Sequence, residues 1–399
     1  MRTRRPVTVY LDSSDFSHLS DPRATASLRT TRDRLLALAR NENVRFVFSA
    51  AHMSEMAPVE ARHAHYATER TDLLVALCRR NCLVSFDRLM KAEVSRLTTR
   101  STAPVEAIVD DGTWFPDIAQ IVTPVQALGA ANAVKRAGQD RGLNRKQRRT
   151  LQGSALKGGR FRPRAIDDVA ESTLDDILRV YPMRRQDADV LLQFMAGRAS
   201  AAQAEEAFLE SLRDPSWMMR WFADHHDRLG QIGEWVRGPA RNRAAQMAKA
   251  AEAVTRAMEA EERNGGRSSL AVHFTAAGWG REQDTLLLSA VKRLIDQEDA
   301  LPLNWADATD VDTYCPGIST GFRVMHSSLR SAFGARARTP GPSDFVDAVH
   351  AMYAPYVDLF RSDRYMSPIT ARHATKYNTE VVAKIEDVPS RVEALLART

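Results

Sequence analysis

A chain of 399 residues with 44% hydrophobic and 27% charged residues has an ordinary globular composition, long enough for one large domain with an insertion or for two domains. No apolar run approaches the roughly 20 residues that span a bilayer. The opening "MRTRRPVTVYLD" passes from cations straight into a strand-like run rather than a secretory segment, so membrane and secreted classes are set aside and a cytoplasmic protein is expected. Three cysteines, Cys78, Cys82 and Cys315, cannot build a disulfide framework, and no C-x-x-C pair marks a zinc site.

Charge is unevenly spread. Between Ala133 and Arg164 eleven Lys or Arg face one acid, Asp140, a net +10 in a chain of net +6 that leaves the rest at −4. Arg145, Lys146, Arg148, Arg149, Lys157, Arg160 and Arg162 are the candidate nucleic-acid contacts of this segment, because each cation that neutralises a phosphate releases a counterion. The alternative is a solvated polar loop. In "LKGGRFRPR", Phe161 among the cations is placed to stack on a base.

In chain order, "PVTVYL" and "NVRFVFS" have the length and β-branched content of buried strands, with "TASLRTTRDRLLALARN" between them at helical spacing. Ser49 is a suitable N-cap for a helix over "AAHMSEMAPVEARHAHYATERTDLLVALCRRN"; "CLVSF" reads as a short strand and "DRLMKAEVSRL" as a helix. Strand and helix alternate, which predicts an α/β fold with a parallel sheet flanked by helices over residues 1–103. Residues 104–266 break this pattern: a turn-rich stretch, the basic segment, then helical periods including "SAAQAEEAFLESLR" behind Ser200 and a further helix opening near Pro239. They are expected to form a large, mostly helical insertion, with the α/β domain resuming over 267–399. "EQDTLLLSAVKRLIDQED" and "GFRVMHSSLRSAF" are further helices, and "RARTPGPS" is a loop.

Near the end, "SDFVDAVHAMYA" predicts a helix capped by Ser343 with Asp344 and Asp347 in its first turns, about 60° apart around the axis. "YVDLF" reads as a strand, and Asp363 falls just beyond it. Asp12 falls just beyond the first strand, and Glu55 a turn or two into the helix after the second. Open α/β sheets bind ligands at the carboxyl ends of their strands, so winding can gather Asp12, Glu55, Asp347 and Asp363 at one edge. Two such charges 4 Å apart repel by about 4 kcal/mol at an effective dielectric of about 20, so the cluster calls for protons or a divalent cation. All-oxygen ligands favour Mg²⁺ or Mn²⁺. The plainer reading makes Asp12 a helix cap, Glu55 and Asp344 first-turn acids, and Asp347 and Asp363 surface acids.

With these residues in view, "VYLDSSDFSHL", "FSAAHMSEM" and "SDFVDAVHAMYAPYVDLFRSDR" resemble the PIN-domain superfamily of metal-dependent nucleases, over about the first and last hundred residues. The resemblance implies a parallel sheet flanked by helices, Mg²⁺- or Mn²⁺-dependent cleavage of RNA, and Asp12, Glu55, Asp347 and Asp363 as the catalytic, metal-holding acids. Asp344 is a further ligand candidate beside Asp347, Glu60 rivals Glu55, and Asp15 and Asp358 are auxiliary. His350 is placed either to orient a carboxylate or substrate, or as an ordinary core or rim histidine. Arg361 and Arg364 flank Asp363 and are candidates for holding a phosphate, or for pairing with an acid. Two other functions stay open: a catalytically inactive nucleic-acid- or protein-binding module, and a toxin or defence effector restrained by a protein partner or inhibitor through the insertion.

Other motifs carry less. "ADHHDRL" sits inside an amphipathic helix, His63 and His65 point to different helix faces, and neither G-x-x-x-x-G-K-[ST] nor G-x-S-x-G occurs.

Overall fold

The computed structural model describes residues 5–58, 61–116, 142–157, 160–161, 181–225, 276–297, 306–331 and 342–398, with isolated positions at 134–139, 174–178 and 249–263. The chain divides into two compact units. One comprises Met1–Ala57, His65–Pro116 and Ile232–Thr399; the other comprises Pro58–Ala64 and Asp117–Gln231.

The first unit is built on a four-stranded parallel sheet of order β2-β1-β7-β8: β1 (Val7–Tyr10), β2 (Val44–Val47), β7 (Leu359–Arg361) and β8 (Glu380–Val382). All four residues of β1 are buried, as a central parallel strand requires. Val9 pairs in register with both Phe46 and Leu359, and Tyr10 with both Val47 and Phe360. Alternation sends Tyr10, Val47 and Phe360 to one face, where they join Leu89, Leu97, Leu287, Val291 and Tyr353 in the main core. Tyr10 and Phe360 stack there, with centroids 5.1 Å apart. The C-terminal helix Val388–Arg398 packs on β1 and β7. The fold is therefore mixed α/β with a parallel sheet. No helix among the described residues is long and apolar enough to cross a membrane.

Several elements differ from the sequence reading. A helix, α1 (Ser13–Ser20), precedes α2 (Ala26–Leu38), capped by Asp12. The single long helix expected after Ser49 is two, α3 (Ala50–Met56) and α4 (Ala64–Cys78), because Pro58 drives Ala57 out of the helical region, to ψ 130°. β3 (Cys82–Leu83) pairs with β4 (Ile108–Val109) in an antiparallel ladder and touches the main sheet through the bridge Phe48–Cys82. α5 (Phe86–Thr99) follows β3. The last expected strand is displaced: Ala354–Tyr356 form a 3₁₀ turn, and β7 starts at Leu359. β8 and the C-terminal helix had no counterpart in the sequence reading.

In the second unit, helix Arg145–Ala155 buries none of its residues and leads into a two-residue hairpin, β5 (Leu156–Lys157) and β6 (Arg160–Phe161). Helices Arg185–Met195, Ala201–Leu212 and Pro215–Asp224 pack in sequence and bury Leu191, Phe208, Met218 and Phe222, and Ser200 caps the second of them through Gln203. The helix expected from Pro239 lies outside the described residues except for isolated positions. Of the motif at Asp224, the helix ends at Asp224 itself, His225 caps it by stacking on Trp221 and bonding the Trp221 carbonyl at 3.0 Å, and residues 226–229 lie outside the described residues.

Candidate functional site

Asp12, Glu55, Asp347 and Asp363 line one open cleft of about 280 Å³, together with Ser13, Ser14, Ser17, Met56 and Arg70. Four separate elements supply the acids. Asp12 follows β1, Glu55 sits in α3 after β2, Asp347 lies on helix Pro342–Ala351, and Asp363 follows β7. Parallel winding therefore gathers them at the carboxyl end of the two central strands.

Each carboxylate has a different environment. Asp12 Oδ1 accepts the Ser14 N–H at 2.8 Å, and the Asp12 N–H donates to Asp15 Oδ2 at 3.0 Å, a capping box that fixes Asp12 at the mouth of α1. Burial pushes its carboxyl up, but His350, the Ser14 bonds and Arg361 prevail and hold it below the usual range. Glu55 Oε2 accepts from His350 Nε2 at 2.9 Å; burial again pushes up, and His350 and Ser13 win, so Glu55 is also lowered. Asp363 Oδ1 accepts the Met366 N–H at 2.6 Å. Asp347 differs: no described residue donates a hydrogen bond to it, and burial with the charges of Glu55, Asp12 and Asp363 lifts it to about 7 against the pull of His350. Asp347 thus feels the charges of the other three acids in addition to its own burial.

Behind Glu55 runs a buried polar chain. The His350 ring is hydrogen-bonded through Nδ1 to Tyr10 Oη (2.5 Å), and Tyr10 Oη to Ser49 Oγ (2.7 Å). His52 Nδ1 accepts the Ser49 N–H at 3.0 Å, so its Nε2 carries the proton and donates to the Leu11 carbonyl at 2.9 Å. Burial drives His52 down to about 3, so it stays neutral. Burial also lowers His350, but Glu55, Asp12 and Asp347 outweigh it and raise its pKa. His350 is thus a buried core histidine that also fixes a carboxylate.

Other candidates lie elsewhere. Asp344 does not line the cleft; its side chain is buried on Ser328 Oγ at 3.3 Å, because the first turn of its helix packs on helix Pro316–Ser331. Asp358 sits at the opposite end of the strands, accepting the Thr8 N–H at 2.7 Å and pairing with Arg5. Arg361 is turned inward, its Nη2 2.8 Å from the fully buried Asp15 and its Nη1 3.7 Å from Asp12, so it braces the base of the site instead of reaching out for a phosphate. Asp15 is thereby committed to the cap and the ion pair. Arg364 is exposed beside Asp363. Glu60 lies outside the described residues. In the second unit, Arg145, Lys146 and Arg149 are exposed and Arg148 is half-buried; Lys157 and Arg160 are backbone partners across the hairpin, and Arg162 lies outside the described residues. The sequence reading missed Arg70 and the serines of α1, which no motif singles out.

Among the described residues, no three His, Cys, Asp or Glu side chains stand close enough to enclose a metal ion. The acids share a cleft without forming a closed cage. No family model, curated protein or solved structure matches the chain.

Proposed function

We propose that this chain is a PIN-like nuclease that hydrolyses phosphodiester bonds, those of RNA, with Mg²⁺ or Mn²⁺ held at the cleft. The observation that carries the reading is the meeting of Asp12, Glu55, Asp347 and Asp363 in one cleft, with Asp347 lifted to about 7 by burial and its neighbours. Hard cations fit this donor set: every ligand is an oxygen, and Mg²⁺ keeps several waters and needs only one or two carboxylates, so no closed cage is required. Asp347, open on the protein side, would hold the ion directly with one neighbour among Asp12, Glu55 and Asp363, the other acids reaching it through its coordinated waters. A divalent cation there supplies Lewis acidity towards a phosphodiester and makes a coordinated water more acidic.

The chain's own residues do the rest. Ser14 N–H and Met366 N–H orient Asp12 and Asp363. His350, itself fixed by Tyr10, orients Glu55 towards an attacking water. Arg361 offsets part of the negative charge beneath Asp12. The exposed cations of Arg145–Ala155 supply counter-charge for a polyanion.

The test is incubation with single-stranded RNA and Mn²⁺, beside a chelator control and Asp12→Asn. Metal-dependent cleavage lost in the variant is expected, and cleavage that survives it sinks the assignment. A second reading, nucleic-acid binding without turnover, draws on the unburied basic helix Arg145–Ala155. Salt-sensitive RNA binding with no metal-dependent product is its signature.

A further inference from the structure

The acidic cleft has a second wall. Ser17 of α1 and Arg70 of α4 both line it. Ser13, also on this wall, is engaged with His350 at 3.4 Å, and Ser14 with Asp12. Ser17, one helical turn beyond them on the same face, has no hydrogen-bond partner among the described residues, and neither has Arg70.

Arg70 is the more telling of the two. It is half-buried in a cleft that four carboxylates line, yet it forms no ion pair with any described residue. A guanidinium partly withdrawn from water and surrounded by acids ordinarily closes on one of them in a two-pronged pair. Here the acids are instead held by Ser14 N–H, His350 and Met366 N–H, while Arg361 takes Asp15. None of the five Arg70 donors is taken by a described residue, and they lie in the planar fork that matches a pair of phosphate oxygens. An acid-lined cleft repels a polyanion, so any nucleic acid that enters needs a cation the protein has not already neutralised with its own carboxylates.

We propose that Arg70, with the Ser17 hydroxyl, forms a phosphate subsite that takes a backbone phosphate of a single-stranded nucleic acid next to the one at the carboxylates. The ligand's identity rests on the nuclease reading; the vacancy at Arg70 does not. Arg70 acts as a positioning residue: it places the strand, and the acids act on it.

The probe is a fluorescein-labelled, phosphorothioate-linked octauridylate, titrated by anisotropy against the full chain in Mn²⁺ over a range of salt. Arg70→Gln is expected to weaken binding about tenfold and to reduce the slope of log K against log salt by about one. Arg70→Lys should restore the slope but only part of the affinity. Ser17→Ala should weaken binding less, with the slope unchanged. On ordinary RNA, Arg70→Gln should raise KM more than it lowers kcat. A merely structural Arg70 would leave the salt slope alone. Unchanged affinity and slope in Arg70→Gln, or no binding by the natural chain, overturns the subsite. An Arg70-dependent slope with no cleavage of ordinary RNA upholds the subsite and defeats the nuclease reading instead.

Discussion

Two acids of the first unit, the buried Glu93 and the half-buried Asp347, are both lifted to about 7 chiefly by their withdrawal from water, and they do opposite things. Glu93 on α5 is fully buried, and its oxygens accept the Gly317 and Ile318 N–H groups at 2.6 and 2.8 Å and the Tyr356 hydroxyl. It closes the N-terminus of helix Pro316–Ser331, where the unpaired N–H groups and the dipole favour an acid. Asp347 has no such donor among the described residues and shares its cleft with three more carboxylates. A raised carboxyl pKa therefore leaves room for a ligand only where the oxygens are left unclaimed. Where the protein itself supplies the donors, the same value marks a structural staple.

The comparison breaks most sharply on activity. Asp347→Asn should lower Mn²⁺-dependent RNA cleavage on the order of a hundredfold or more, while Glu93→Ala, in whatever fraction stays folded, should leave the rate per folded molecule near that of the natural chain. In the natural chain, cleavage should climb about tenfold per pH unit up to about 7 and then level off, since a proton on Asp347 competes with the ion. A rate already flat across pH 5.5–7 would separate Asp347 from the metal.

Stability supplies the next contrast. Glu93→Ala leaves two buried N–H groups and a hydroxyl without an acceptor, a loss on the order of 3 kcal/mol, read as a lower denaturant midpoint. Asp347→Asn should move the other way. Its carboxyl titrates near 7 when folded and at 3.8 when unfolded, so between those values the folded chain holds a proton that the unfolded chain lacks. Stability from this group thus falls as pH rises across that window, and the penalty is complete above 7. At pH 8 in chelator the asparagine variant should be more stable on the order of 2 kcal/mol, and Mn²⁺ should raise the midpoint of the natural chain but not of the variant. An asparagine variant less stable than its parent at pH 8 would mean that Asp347 is satisfied after all.

Much of this frame was legible in the sequence. The apolar runs ending at Asp12 and near Ser49, and the helix carrying Asp347, announced where the strands end, and strand ends are where α/β sheets place ligands. Residues whose direction is set by distant packing were not legible. Asp344 and Asp347 share a helix face to within about 60°, and only the neighbouring helix Pro316–Ser331 decides which one turns inward. Arg361 looks like an exposed partner for Asp363 until the buried Asp15 claims it. The helix break at Pro58 was readable from proline chemistry, yet the apolar period on either side masked it. Arg70 carries no local signal at all, because its meaning lies in the absence of a partner.

The pairing of Val9 with Leu359 joins positions 350 apart in the chain. Until β7 leaves the ribosome, β1 has a neighbour on one side only, and Asp347 and Asp363 are not both in place beside Asp12. The cleft is therefore complete only once β7 has been made, and a polypeptide terminated before Asp347 carries Asp12 and Glu55 without their two partners.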